Sequence, residues 1–150
     1  MIDGVRVVSL TKISDERGCV MHMLRRDDPH FVEFGEIYFS IVNAGWVKGW
    51  HIHRVMTLNY AVIKGAIKLV LFDSRPGSAT YGEVTELVPS AENYCLTTIP
   101  PGVWNATLGL GSEPSIIANC ASHPHDPGEI ERLDWRSTDI PYRLEAIGGG

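Results

Sequence analysis

Short apolar stretches, each closed by a glycine, a proline or an acidic turn, run the length of this chain and leave no space for a long helix. The pattern predicts strands at Val5–Leu10, Cys19–Leu24, Glu36–Val42, Val47–His53, Leu58–Ile63, Ala66–Asp73, Glu83–Leu87, Tyr94–Ile99, Trp104–Leu110 and Ser115–Cys120. Breakers fall between them: Asp15-Glu16-Arg17-Gly18, Asp27-Asp28-Pro29, Asn43-Ala44-Gly45, Lys64-Gly65, Arg75-Pro76-Gly77 and Pro100-Pro101-Gly102. Fifteen glycines and nine prolines in 150 residues fit that punctuation. Many short strands at regular spacing predict an all-β sandwich or barrel. Beyond Cys120 the sequence turns polar, so Ser122–Tyr142 reads as a surface excursion with at most a turn of helix. With no repeat and no linker, residues 1–147 form one domain, and the glycines at 148–150 read as a disordered tail.

The formal net charge of −5 argues against coating nucleic acid, which needs broad positive surface, but leaves room for a small anion held by local cations. Cys19, Cys95 and Cys120 are widely spaced, form no CxxC pair, and read as structural thiols in a reducing compartment. No apolar run approaches membrane-spanning length, and no basic segment followed by an apolar run opens the chain, so a cytoplasmic protein without membrane contact is expected.

Within Gly45–Gly65 stands the pair His51 and His53. Strand residues two apart share a face, so both imidazoles project into one space while Trp50 and Ile52 pack behind them. Two converging histidines suit either a metal or a proton-transfer site.

The spacing of Gly45, His51, His53 and Gly65 resembles one cupin signature, with Leu58 in its glutamate slot. Pro100-Pro101-Gly102 resembles the second, with Asn105 in its histidine slot. The chain is thus similar to a cupin, a double-stranded β-helix jelly roll, in which two of four usual metal ligands are replaced. No metal and no other cofactor is expected, because leucine ligates nothing and an amide is a poor ligand for imidazole-type metals. Five further segments, in order, are Asp15-Glu16-Arg17-Gly18, Lys48-Gly49-Trp50-His51, Asp73 to Val84 (DSRPGSATYGEV), Ser90-Ala91-Glu92-Asn93 and Ile99-Pro100-Pro101-Gly102. Together they resemble the dTDP-4-dehydrorhamnose 3,5-epimerase family. That resemblance implies a homodimeric jelly roll that inverts carbons beside the ketone of a nucleotide-linked 4-keto sugar.

Such chemistry needs a base, a stabiliser for the enolate, and an acid on the opposite face. The resemblance makes His51 the base and puts His53, where the family carries glutamine, in the part of proton relay or substrate contact. Arg17 and Lys48 match diphosphate-binding arginines, Asn105 is a donor for a sugar oxygen or the enolate, and Trp104 is either pocket wall or core. Arg54 reads as a surface charge. The family's tyrosine aligns near Ala118, and its aspartate partner of the histidine falls in a C-terminal segment without a counterpart here; Tyr38, Tyr60, His53, His123 and His125 are the substitutes on offer. Other readings are a sugar-nucleotide 3,4-ketoisomerase, a non-catalytic sugar-nucleotide-binding protein, and a metal cupin with unrecognised ligands.

Overall fold

A computed structural model describes residues 1–150. Its strands are β1 (Arg6–Ser9), β2 (Lys12–Asp15), β3 (Gly18–Met21), β4 (Glu36–Val42), β5 (Trp46–His53), β6 (Leu58–Lys64), β7 (Ile67–Asp73), β8 (Val84–Leu87), β9 (Cys95–Ile99), β10 (Val103–Gly109), β11 (Ser115–Ala121), β12 (Ile130–Arg132) and β13 (Gly148–Gly149). No element is helical, so the turn of helix allowed for in 122–142 does not form. One sheet has the order β1-β9-β6-β11-β4, the other β12-β5-β10-β7-β8 with β13 as a sixth strand paired to β5, and β2 and β3 make a separate hairpin. From β4 to β7 each successive strand changes sheet, and it does so again from β8 to β12. That winding is a double-stranded jelly roll.

The main core lies where the two sheets face. Leu58, Tyr60 and Val62 of β6 and Ile117 of β11 meet Ile67, Leu69 and Leu71 of β7 and Val103 of β10. Each fully buried aliphatic side chain contributes about 1.5–3 kcal/mol against exposure. Two smaller clusters cover the outer faces. On the six-stranded sheet, Val47, Trp50, Val70, Ala106 and Leu108 are roofed by Ile140 and Leu144 of the C-terminal segment. On the other sheet Leu10, Met21, Met23 and Leu24 cover Ala61, Tyr94 and Leu96.

Three strands have no counterpart in the sequence pattern. β2 pairs with β3 as a hairpin whose residues are nearly all exposed, so no burial alternation marks it. β12 pairs with β5, which turns the expected surface excursion into part of the second sheet. Gly148 and Gly149 lie parallel to Trp46 and Val47 as β13, where a disordered tail was expected. The backbone N–H of Gly150 also bonds the Val47 carbonyl at 3.1 Å.

The DSRPGSATYGEV segment is a folded corner. Asp73 at the end of β7 is fully buried and accepts hydrogen bonds from Arg75, Ser78 and Thr80, at 2.9, 2.7 and 2.7 Å from their side chains. The Arg75 guanidinium, above all, holds the Asp73 carboxyl far below the usual carboxylate range.

Candidate active site

In a regular strand Lys48 and His51, three positions apart, would face opposite ways. Between them β5 slips against β10. Asn105 pairs with His51, and Ala106 with Gly49, so Trp50 is the extra residue of a β-bulge. Trp50 turns outward beneath the C-terminal roof, and the bulge brings Lys48 round to the side of His51 and His53. Glycine is required at 49: its φ is +134°, and a Cβ there would lie 2.7 Å from Ala106 and 2.8 Å from the Asn105 carbonyl oxygen.

Lys48, His51 and His53 open into a cavity of about 350 Å³ between the sheets. Tyr38, Ser40 and Glu36 of β4, Tyr60 of β6, Thr107 of β10 and Arg132 of β12 complete its polar lining, with Met56, Ile117 and Ile130 as apolar floor and His125 at one side. Its size is at the small end of small-molecule sites. Lys48 Nζ donates to Ser40 Oγ at 3.0 Å, bridging the two sheets beside the histidines. Lys48 and Arg132 give the cavity a positive border within an acidic protein.

The two histidines differ in their partners. His53 Nδ1 meets Glu129 Oε1, and both residues are buried. Glu129 Oε2 accepts the backbone N–H groups of Arg54, Val55 and Met56 at 3.1, 3.2 and 3.3 Å. Burial alone would raise the Glu129 carboxyl, but the hydrogen bonds from His53 and from this turn outweigh it, and the acid is held below its ordinary value. His51 Nδ1 is buried without a hydrogen-bond partner. Burial, and then the nearby His53, Arg132 and Lys48, push His51 down to about 4, so it is neutral at physiological pH. The two rings stand edge to face with centroids 6.1 Å apart.

The five-stranded sheet supplies the facing wall. Tyr38, Asn119 and Tyr60 form one row across β4, β11 and β6. Asn119 is fixed by accepting the Asn59 N–H at 3.0 Å and donates its own amide to the Tyr38 hydroxyl oxygen at 2.9 Å. The Tyr38 proton is therefore free to point into the cavity. Burial raises the pKa of both tyrosines above the ordinary phenol value, so each keeps its proton at neutral pH.

Of the residues singled out from sequence, the cavity gathers His51, His53 and Lys48 and, from the substitute proton donors, Tyr38, Tyr60 and His125, while His123 bonds Ser122. Asn105 lies buried behind them, its amide donating to the His51 carbonyl at 3.1 Å and its Oδ1 without a partner. Arg17 is elsewhere, at the tip of the β2–β3 hairpin and paired with Asp15. Arg54 pairs with Glu131 at the surface, and Trp104 packs in the outer cluster. Ala118 pairs with Phe39 and Ala61 on the outer face of its sheet; Ile117 and Asn119 are the residues that turn inward. Sequence reasoning missed Glu129 and Arg132 because both belong to the stretch read as surface excursion. No set of three or more His, Cys, Asp or Glu converges as a metal-binding group. A larger hollow of about 900 Å³ lies under residues 135–146 and holds none of the histidines.

The sequence profile of the dTDP-4-dehydrorhamnose 3,5-epimerase family matches residues 1–147. The chain is 32% identical over 144 residues to the spore coat polysaccharide biosynthesis protein SpsL of Bacillus subtilis (strain 168), covering 95% of each. It is 31% identical over 127 residues to the probable low-salt glycan biosynthesis epimerase Agl13 of Haloferax volcanii, covering 83% of this chain and 81% of that one. Among solved structures, a dTDP sugar isomerase from Desulfovibrio desulfuricans G20 matches with a TM-score of 0.92 at 42% identity, over 94% of this chain and 90% of that one.

Proposed function

The chain belongs to the dTDP-4-dehydrorhamnose 3,5-epimerase family, and from that premise we propose that it epimerises or isomerises a nucleoside-diphosphate 4-keto-6-deoxy sugar by enolisation beside the ketone. The observation that carries this reading is a histidine pair on one sheet facing a proton-bearing tyrosine, Tyr38, on the other, across one cavity. An imidazole takes the proton from the carbon next to the carbonyl, the C–H electron pair becomes the C=C bond of the enolate, and the carbonyl π pair moves onto oxygen. Tyr38 returns a proton to the opposite face of that carbon, re-forming the carbonyl and inverting the carbon, and the tyrosinate left behind is reprotonated from solvent. Lys48 and Arg132 suit the diphosphate, since both sit at the cavity and neither is buried. Asn105, through its bond to the His51 carbonyl, holds the bulge under the histidines instead of reaching the sugar.

Arg17 enters as a diphosphate contact through a homodimer. The hairpin that carries it exposes Ile13 and Val20, and the outer face of β4 exposes Ile37, Phe39 and Ile41, a strip suited to a second copy. In such a dimer each hairpin reaches the partner's cavity, where a nucleoside too large for about 350 Å³ would emerge. Free thiols at Cys19, Cys95 and Cys120 suit a cytoplasmic location.

The test is incubation with dTDP-4-keto-6-deoxyglucose in deuterated water, followed by NMR. Deuterium at C3 or C5 with an inverted product, lost in a His51→Ala, His53→Ala double variant, is the expected result. Binding without exchange would make the protein a non-catalytic sugar-nucleotide binder, and no binding would discard the substrate.

A further inference from the structure

Two imidazoles share the cavity, but only one has a carboxylate behind it. Glu129 is buried, its Oε2 is occupied by three backbone N–H groups, and only Oε1 is left for His53 Nδ1. A carboxylate that already accepts three donors cannot turn, so its second oxygen is a fixed acceptor. A fixed acceptor at Nδ1 requires the proton on Nδ1 and leaves the Nε2 lone pair as the basic site of His53. His51 has no such acceptor. Its buried Nδ1 meets no donor or acceptor, so Nε2 is the nitrogen left to face the cavity, and a neutral ring there can carry its proton on Nε2.

Resting on the enolisation proposed above, we infer that the two histidines divide the work by tautomer: Glu129 positions His53 as the base, and His51 donates a hydrogen bond from Nε2 to the keto oxygen. In the step, the substrate proton passes to His53 Nε2, the C–H electron pair becomes the enolate C=C bond as the carbonyl π pair moves onto oxygen, and the developing charge is met by the His51 N–H. The imidazolium formed on His53 is held between Glu129 and the enolate, and it later releases its proton to solvent. The assignment reverses the roles implied by family resemblance, which made His51 the base. The carboxylate comes from the turn before β12, which begins at Ile130.

The experiment compares wild type, Glu129→Gln, Glu129→Asp, His51→Asn and His53→Asn. Ring nitrogens are read by 15N NMR of histidine-labelled protein, and deuterium uptake is measured with dTDP-4-keto-6-deoxyglucose. In wild type His53 should show a protonated Nδ1 and an unprotonated Nε2. In Glu129→Gln the amide oxygen stays with the three backbone donors and its NH₂ faces Nδ1, so the proton should move to Nε2. That variant should keep its KM and lose about 10²- to 10⁴-fold in exchange rate, the usual share of a general base, with Glu129→Asp recovering part of it. His53→Asn should abolish uptake, while His51→Asn should slow it about 10²- to 10³-fold, as for loss of one oxyanion donor.

Wild-type spectra with His53 protonated on Nε2 would overturn the inference, as would a Glu129→Gln enzyme exchanging at the wild-type rate. Uptake that survives in His53→Asn and vanishes in His51→Asn would restore His51 as base. A wild type that exchanges nothing overturns the proposed reaction itself, and this inference with it; that result is distinct, because it appears before any variant is made.

Discussion

His51 has a measurable consequence at the scale of one side chain. In the unfolded chain it takes up a proton near pH 6.5; in the folded protein it does so only at about 4, chiefly because it is buried. Between those values the unfolded state binds more protons, so stability falls as pH falls through that window and is unaffected by His51 above it. At 1.36 kcal/mol per pH unit, this one group removes about 3 kcal/mol between pH 6.5 and 4. Urea denaturation at pH 7 and pH 4.5 should show a smaller difference for His51→Asn than for wild type; equal differences would mean the ring is not held neutral. Arg132→Ala should raise KM about tenfold and leave kcat nearly unchanged, the pattern of lost ground-state binding, read from steady-state kinetics. His51, His53 and Lys48 were legible in the sequence because they stand together in one strand. Glu129 and Arg132 were not, since a carboxylate in Pro-Gly-Glu-Ile-Glu-Arg carries no local mark of a histidine lying 76 residues away in the chain.

Among the elements, the alternation of β4 and the buried runs of β6 and β9 made those strands readable, and their bounds differ from the expectation by a residue at most. β2 and β12 escaped because the first is exposed along its length and the second has only three residues. What periodicity could not express was the bulge in β5, an interruption of the very pattern used to find strands. Gly49→Ala should destabilise the protein by roughly 2–3 kcal/mol, combining a strained positive φ with a clash against β10. It should also raise KM, by turning Lys48 out of the cavity. Thermal melting and kinetics together check this, and an unchanged Tm would mean that β10 yields freely. The Asp73 corner gives a contrasting case: Asp73→Asn should cost about 2 kcal/mol, the worth of hydrogen bonds to a buried charge, with exchange kinetics intact.

At the scale of the whole molecule, the fold class was legible from cadence alone, whereas the exposed apolar strip of β4 was not, because it depends on which exposed residues share a patch. If each hairpin serves its neighbour's cavity, mixing Arg17→Ala with His53→Ala protein should restore, at substrate well below the raised KM of Arg17→Ala, activity that neither shows under that condition. Random exchange of subunits in a 1:1 mixture puts one intact cavity in each mixed dimer, about a quarter of wild-type activity overall; no recovery would show that Arg17 serves its own chain or none. The placement of imidazoles on one sheet and Tyr38 on the other separates two outcomes usually measured as one. In the proposed reaction, taking a proton off the sugar calls on a single sheet, while delivering one from behind calls on both, held at a set spacing by Leu69 and its neighbours. A loosened core, as in Leu69→Ala, should therefore let the isotope enter with the original configuration kept: the handedness of the product becomes a ruler laid across the sandwich.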